Sequence, residues 1–183
     1  MELVSIALTA ATLFAVGAQA VFVQRQARTL VQATKLDHDR RRKQSTIEFW
    51  SRLSDDRHHF RTLLRQEFGD EELTTDQLQL LIDNRYTPSQ QGRTAAALVS
   101  FLDGLERFCT GINSGVFDID IADAMCGAAI VRAYEQYGSW TKGRRKALER
   151  PALYLEMETV AEEISRRRRM SSRVNPLEEP DPR

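Results

Sequence analysis

The stretch "LERFCTGINSGVFDIDIADAM", residues 105–125, decides the fold because it contains the end of one helix and the start of the next. Its apolar residues recur at helical spacing as far as Gly115, a residue suited to the left-handed turn that closes a helix. Asp118 or Asp120 can then cap the following helix with its carboxylate. The stretch therefore predicts a helical hairpin.

The same stretch raises the question of an acidic active site. Asp118, Asp120 and Asp123 lie close together in the chain, and Glu106 precedes them. The trio comes without histidine and without the spacing of an EF-hand calcium loop. We therefore favour helix capping and surface roles, and a metal site or a partner contact stays open as an alternative. Glu106 is expected to form a structural ion pair with Arg132 on the next helix.

Motifs of nucleophilic, phosphate-binding and zinc-dependent enzymes are missing from the sequence. It contains no GxSxG, P-loop, HExxH or GxGxxG pattern. His58 and His59 are adjacent and so point about 100° apart on a helix, which favours exposed polar residues. We predict no catalytic residue, no cofactor-binding residue and no metal ligand, and the chain is not expected to be an enzyme.

Composition and periodicity predict an all-α fold. Only 5 Pro and 9 Gly occur, which fits long helices. A bundle of about five helices is expected after the N-terminal segment. The first helix is predicted to run from the capping-box pattern "STIE" (45–48) to Gly69, and a short second helix is capped by Thr74 with Gln77. The third covers about residues 93–114, the fourth follows Asp118, and the fifth has Pro151 in its first turn.

Two helices carry apolar residues at helical spacing. On the first, one face comprises Leu98, Phe101, Leu102, Leu105, Phe108, Cys109 and Ile112. The second carries Ile121, Met125, Ala128, Ala129, Val131 and Tyr134, and its many small residues suggest close packing against a neighbour. Cys109 and Cys126 lie within these apolar patterns and lack zinc-site spacing. They are therefore expected to be buried free thiols, which suit a reducing compartment.

The N-terminal segment predicts a membrane anchor. Residues 3–24 contain no charged side chain, and a helix of that length spans a hydrocarbon core of about 30 Å. Basic residues follow it, so the positive-inside rule predicts an N-terminus outside and a cytoplasmic remainder in a single-pass inner or cell membrane protein. A signal peptide cleaved after "AQA" (18–20) is an alternative, but Met1 and Glu2 supply no basic n-region. A buried core helix is the third alternative.

Charge is unevenly distributed although the formal net charge is zero. Basic residues dominate 24–43 and 141–183, and acidic residues dominate 44–140. The candidate membrane-surface contacts are Arg40, Arg41, Arg42 and Lys43, and the candidate anion contacts are Arg166, Arg167, Arg168 and Arg169.

The expected partners are the lipid bilayer and other proteins. A second copy of the chain is an additional candidate because small residues of the anchor could let another helix approach. Nucleic acid is a less favoured partner.

From Leu98 to Ile164 the chain resembles the bacterial family catalogued as domain of unknown function 4760. The resemblance is carried by "LERFCTGINSGVFDIDIADAM", "VRAYEQY", "GRRKAL" and "LYLEMETVAEEI", with matches at Glu106, Gly111, Gly115, Asp118, Glu135 and Arg145, and with Tyr134 in place of the family's usual tryptophan. The structural motif taken from it is Glu106, Gly115, Asp118 and Arg132. The resemblance implies a membrane-anchored protein with a cytoplasmic helical domain, and it implies no activity.

These observations predict four segments and three competing functions. The segments are an anchor (1–24), a basic juxtamembrane stalk (25–44), a helical domain (45–170) and a disordered tail (171–183). The favoured function is a membrane-tethered, non-enzymatic interaction or scaffold module. The alternatives are an electrostatic binder of anionic membrane or nucleic acid that uses the arginine runs, and a metal-dependent hydrolase that uses the acidic residues near Asp118.

Overall fold

The computed structural model describes residues 2–69, 73–83 and 89–174. Over these residues it is all-α, with no strand, and the all-α part of the predicted fold is confirmed. The five helices are α1 (Glu2–Phe68), α2 (Thr75–Asp83), α3 (Gln90–Asn113), α4 (Ile119–Ala147) and α5 (Leu155–Val174). The last part of the predicted tail, residues 175–183, lies outside the described residues, whereas 171–174 belong to α5.

The chain divides into two compact units, Met1–Arg41 and Arg42–Arg183. The first unit is helical, and its side chains are exposed from Phe22 to Arg41. Most side chains of the predicted anchor, those of residues 2–18, 20 and 21, lie outside the described part of the chain. Among the residues that the structure does describe, none of the helices combines the length and apolar character needed to cross a membrane.

The predicted helix start at Ser45 is wrong, because α1 runs through this position without a break. The backbone from Gln24 to Phe68 contains neither proline nor glycine, so nothing interrupts its hydrogen bonds. Thr46 donates its hydroxyl to the carbonyl oxygen of Arg42 at 2.8 Å, the bond typical of a threonine inside a helix. The capping-box prediction does hold at α2, where Thr74 and Gln77 exchange hydrogen bonds of 2.9 and 3.3 Å.

The core of the second unit forms where α1 packs against the hairpin of α3 and α4 through large aromatic rings. The rings of Phe49 and Phe108 are stacked with centroids 5.5 Å apart, and Phe117 lies 5.1 Å from Phe49. Phe60 stacks on Phe101 at 6.1 Å further along α1. The predicted apolar face of α3 is buried as expected. Aromatic pairs of this kind stabilise a core beyond their buried area.

The apolar residues named for α4 pack only in part. Ala129, Val131 and Tyr134 pack against the core partly buried, whereas Met125 is 44% exposed and Ala128 is also exposed. The buried hydrophobic residues of α4 are Ala122, Cys126, Ile130, Ala133 and Tyr137. Small residues occur on several sides of this helix, so its sequence contains two overlapping apolar stripes. Packing against α1, α3 and α5 selects the stripe with Ile130 and Tyr137, which periodicity alone does not distinguish.

The start of α5 also differs from the prediction. Pro151 lies in a turn over residues 151–154, and the helix begins at Leu155. Tyr154 has φ +56°, which is incompatible with a continuous right-handed helix through this residue. α3 begins at Gln90, earlier than predicted, because Ser89 accepts the backbone N–H of Gly92 at 3.1 Å and acts as its cap.

Candidate functional site

The turn between α3 and α4 has the geometry predicted for a helical hairpin. Gly115 has φ +75°, and its N–H donates to the carbonyl of Ile112 at 3.0 Å, which closes α3. The carboxylate of Asp118 accepts the backbone N–H groups of Asp120 and Ile121, both at 3.1 Å. Asp118 is therefore the N-cap of α4, and the capping prediction is confirmed.

Asp118 also ties this turn to α1. Its second carboxylate oxygen accepts a hydrogen bond from the Arg42 guanidinium at 2.8 Å, and its backbone N–H donates to the Thr46 hydroxyl at 2.8 Å. Burial opposes ionisation, but the Ile121 N–H and the charge of Arg42 outweigh it and hold the pKa of Asp118 below its usual value. Asp118 is thus an ionised structural group, 5% exposed.

Arg42 is a candidate membrane-surface contact, and its guanidinium binds Asp118. It is the first residue of the second unit, so that unit begins two residues before the predicted end of the basic stalk. Arg40, Arg41 and Lys43 are exposed, and Arg41 pairs with Asp37 at 2.8 Å. Membrane contact by Arg40, Arg41, Arg42 and Lys43 stays a prediction.

Glu106 caps α5. Its two carboxylate oxygens accept the backbone N–H groups of Glu156 at 3.1 Å and Met157 at 2.8 Å. The predicted ion pair with Arg132 is therefore wrong. The signal for a cap is absent from the local sequence because Glu106 lies about 50 residues from the amides that it binds. Burial raises the pKa of Glu106 despite these hydrogen bonds.

The arginine run at the end of the chain pairs largely with carboxylates. Arg167 contacts Asp120 at 2.7 Å and Glu163 at 2.7 Å, and Arg168 contacts Asp123 at 2.7 Å. Arg166 also pairs with Glu163, and Arg169 is exposed. The acidic cluster and the arginine run, which the sequence suggested as two separate sites, thus neutralise each other across α4 and α5. Anion binding by Arg166, Arg167, Arg168 and Arg169 stays a prediction.

A partly buried ion network joins α4 to α5 near their connecting turn. Glu158 accepts hydrogen bonds from Arg145 at 2.5 Å and Tyr134 at 2.8 Å, and it pairs with Lys142 at 3.0 Å. Arg145 also donates to the Tyr154 carbonyl at 2.8 Å, which holds the turn. Burial opposes ionisation of Glu158, but these partners outweigh it and lower its pKa to about 2.

The two cysteines are free and buried, as predicted. Burial raises the pKa of Cys109 well above its usual value, and burial together with the nearby Asp123 raises the pKa of Cys126 to about 12. Both thiols are therefore protonated and unreactive at neutral pH. In the part of the chain that the structure describes, no three His, Cys, Asp or Glu side chains are arranged to hold a metal ion.

A cavity of about 150 Å³ lies between α1 and α4, with one side formed by Phe101 of α3. Its apolar walls are aromatic rings, aliphatic side chains and alanines, and its polar lining groups come from three arginines, an amide and a phenol. The lining residues are Arg57, Phe60, Arg61, Leu64, Phe101, Ala129, Arg132, Ala133, Gln136 and Tyr137. The side-chain Nε2 of Gln136 is buried and has no hydrogen-bond partner.

Sequence reasoning missed this cavity and the network around Glu158. Arg57 and Arg61, and likewise Arg132 and Gln136, are separated by four residues, so each pair lies on one helix face. That spacing was a usable signal, but the register between α1 and α4 that brings the pairs together is a tertiary property. Arg145 was singled out only by the family resemblance, and the structure shows its contacts with Glu158 and Tyr154.

Capped helices pack around an aromatic core and are joined by cross-helix ion pairs. These features define an all-α helical-bundle protein. The chain belongs to the family described as Domain of unknown function (DUF4760), whose model matches residues 4–164. The resemblance seen in the sequence is thereby confirmed at the level of the family. A search of curated proteins gave no match, and neither did a search of solved structures.

Proposed function

We propose that the protein is a single-pass membrane-tethered helical module that acts by binding and not by catalysis. In this proposal residues 1–24 anchor the chain, the N-terminus is outside, and residues 45–174 form a cytoplasmic binding domain. The partners are the bilayer and other proteins, with a second copy of the chain among the candidates.

The single observation that supports the tether is the absence of charge over residues 3–24, followed at once by basic residues. The family model begins at residue 4, so the family match includes this apolar segment. A basic collar contributes about 1 kcal/mol per residue near an anionic surface. The exposed Arg40, Arg41 and Lys43 are suited to that contact.

The structural roles of the acidic residues support binding over catalysis. Asp118 and Glu106 cap helices, and Asp120 and Asp123 pair with arginines. Their carboxylates are thus occupied by structural partners, so no observation favours the hydrolase alternative. The alternative of an electrostatic binder is weakened in the same way, because Arg166, Arg167 and Arg168 already have acidic partners.

Membrane extraction tests the tether. Membranes from cells that express the full chain are washed with high salt and then with alkaline carbonate. We expect the chain to stay in the pellet and a Leu13→Arg, Val16→Arg variant to be released, since arginine at a helix centre costs about 2.5–3.5 kcal/mol on insertion scales. The matched control places two arginines at the exposed Ser51 and Asp55 and should stay in the pellet. Release of the unaltered chain by carbonate would overturn the proposal.

A further inference from the structure

The strongest unassigned feature is the arginine-lined cavity between α1 and α4. Three of its lining residues are arginines, and among the described lining residues none is acidic. This is unexpected because residues 44–140, which include every one of these lining positions, carry an excess of acidic residues. An aqueous pocket lined by guanidinium groups is electrostatically complementary to an anion.

Two of the arginines have no internal carboxylate partner. Within the described ranges, no Asp or Glu lies at ion-pair distance from Arg57 or Arg132. Other arginines of the domain do pair, such as Arg42 with Asp118 and Arg145 with Glu158. The guanidinium groups of Arg57 and Arg132 are therefore available to a ligand, and a planar guanidinium binds carboxylate or phosphate through two parallel hydrogen bonds.

A neutral polar group at the same cavity also lacks a partner. The Nε2 of Gln136 is buried with no hydrogen bond, and a buried donor left unsatisfied in this way destabilises the protein. Gln136 lies one helical turn after Arg132, so both side chains are on the same face of α4. A bound ligand oxygen would accept the unused hydrogen bond.

The apolar part of the lining indicates what the rest of the ligand is. Phe60, Leu64 and Phe101 are buried, and Ala129 and Ala133 keep α4 free of bulk at this point. An apolar cavity of about 150 Å³ is large enough to bind benzene. Inorganic phosphate alone would leave this apolar surface in contact with water.

We propose that this cavity binds a small organic anion, with its carboxylate or phosphate group held by Arg57 and Arg132 and a compact apolar body against Phe60 and Phe101. The Gln136 amide and the Tyr137 hydroxyl supply further hydrogen bonds. Burial raises the pKa of Tyr137 although Arg57 opposes this, so the phenol stays a neutral donor. The domain thereby acts as a receptor for a small metabolite, a role that does not depend on the membrane tether.

Titration calorimetry on the full chain in detergent, at fixed ionic strength, tests this site. The probes are benzoate, phenyl phosphate, inorganic phosphate and the neutral isostere benzamide. We expect at least one of the two organic anions to bind about tenfold or more tightly than benzamide and than inorganic phosphate, because only an organic anion satisfies both arginines and apolar walls. A preference between benzoate and phenyl phosphate identifies the head group. No binding of either organic anion, or equal binding of benzamide, would overturn the proposal.

Three variants locate the binding. Arg57→Gln and Arg132→Gln should each weaken the organic anion about tenfold or more, and the matched Arg52→Gln, at an exposed position of the same helix α1, should leave it unchanged. Gln136→Leu should weaken binding and at the same time raise the melting temperature of the unliganded protein, since it removes an unsatisfied buried amide. If all variants bind like the unaltered chain while remaining folded, the ligand lies elsewhere and the assignment fails.

Discussion

At the scale of single residues, Asp118 is the point where three parts of the chain meet. One of its oxygens caps α4, and the other binds Arg42 of α1. Its backbone N–H is held by Thr46, also on α1. A side chain that is only a cap tolerates exchange of Asp for Asn, whereas one that also holds a cation does not.

We therefore expect graded effects from two substitutions of Asp118. Asp118→Asn keeps the cap but loses the charge that faces Arg42, and it should lower the free energy of unfolding by about 1 kcal/mol. Asp118→Ala loses both and should cost about 2 kcal/mol or more. Urea denaturation at neutral pH measures both. In an Arg42→Gln background the Asn variant should cost little, and an unchanged cost there would show that the Arg42 contact does not matter.

Gly115 and Gly143 provide a matched pair at the same scale. A Cβ atom on either glycine meets nothing within 4 Å, so packing does not distinguish them. Gly115 has φ +75°, whereas Gly143 lies inside α4. Gly115→Ala should lower stability by about 1 kcal/mol, and Gly143→Ala should raise it by about 0.5–1 kcal/mol. Opposite shifts in melting temperature are expected, and shifts of equal sign would contradict the assigned turn.

Residues with local partners were predictable from the sequence, and residues with distant partners were not. The cap at Asp118 binds amides two and three residues away, and periodicity with turn chemistry placed it correctly. Arg42 binds Asp118 across 76 positions, and Glu106 binds Met157 across 51 positions. Such pairings depend on how helices dock, so the sequence predicted neither the Asp118 contact of Arg42 nor the capping role of Glu106.

At the level of helices, a capping sequence marked a real helix start only where the preceding helix also ended. The pattern at Thr74 starts a helix because Gly69 ends the preceding one. The similar pattern at Ser45 lies in an uninterrupted run of helix-forming residues and starts nothing. The turn before α5 depends on Tyr154 at positive φ and on Arg145, neither of which propensity rules identify.

The network around Glu158 gives a pH prediction for the docking of α4 on α5. The pKa of Glu158 is lowered to about 2 in the folded protein, below its unfolded value. Its contribution to stability is therefore complete above the unfolded pKa and is lost as pH falls from about 4.5 towards 2. Glu158→Gln should cost about 2–3 kcal/mol at pH 7, and the difference from the unaltered chain should shrink over that window.

The matched control for this network is Glu162→Gln, one helical turn along α5 at an exposed position. It should change stability by less than about 0.5 kcal/mol at any pH. Urea denaturation at a series of pH values between 7 and 3 gives the free energy of unfolding of the unaltered chain and of both variants. If the Glu158→Gln variant has the same free energy of unfolding as Glu162→Gln at every pH, the ion network contributes nothing to the docking.

At the scale of the whole molecule, the sequence was sufficient for the fold class and insufficient for the cavity. Low Pro and Gly content and apolar periodicity led to an all-α fold, which the structure confirms. The cavity arises because α1 contacts α3 and α4 through large rings such as Phe60, while α4 contributes alanines there. The volume that remains between docked helices depends on side-chain packing, which helix periodicity does not encode.

Cysteine labelling on the two sides of the proposed tether tests the membrane topology. Cys109 and Cys126 are buried, so they contribute little background. Cysteine is introduced at position 2, as Glu2→Cys, or at the exposed position 51 of α1, as Ser51→Cys. Intact cells expressing either full-length variant are treated with a membrane-impermeant thiol reagent, and lysed cells serve as the reference for full accessibility.

We expect Glu2→Cys to react in intact cells and Ser51→Cys to react only after lysis, because the basic residues after Gln24 retain the domain on the cytoplasmic side. Reaction of Ser51→Cys but not of Glu2→Cys in intact cells would contradict the orientation. Protection of both positions in intact cells would contradict the transmembrane anchor itself.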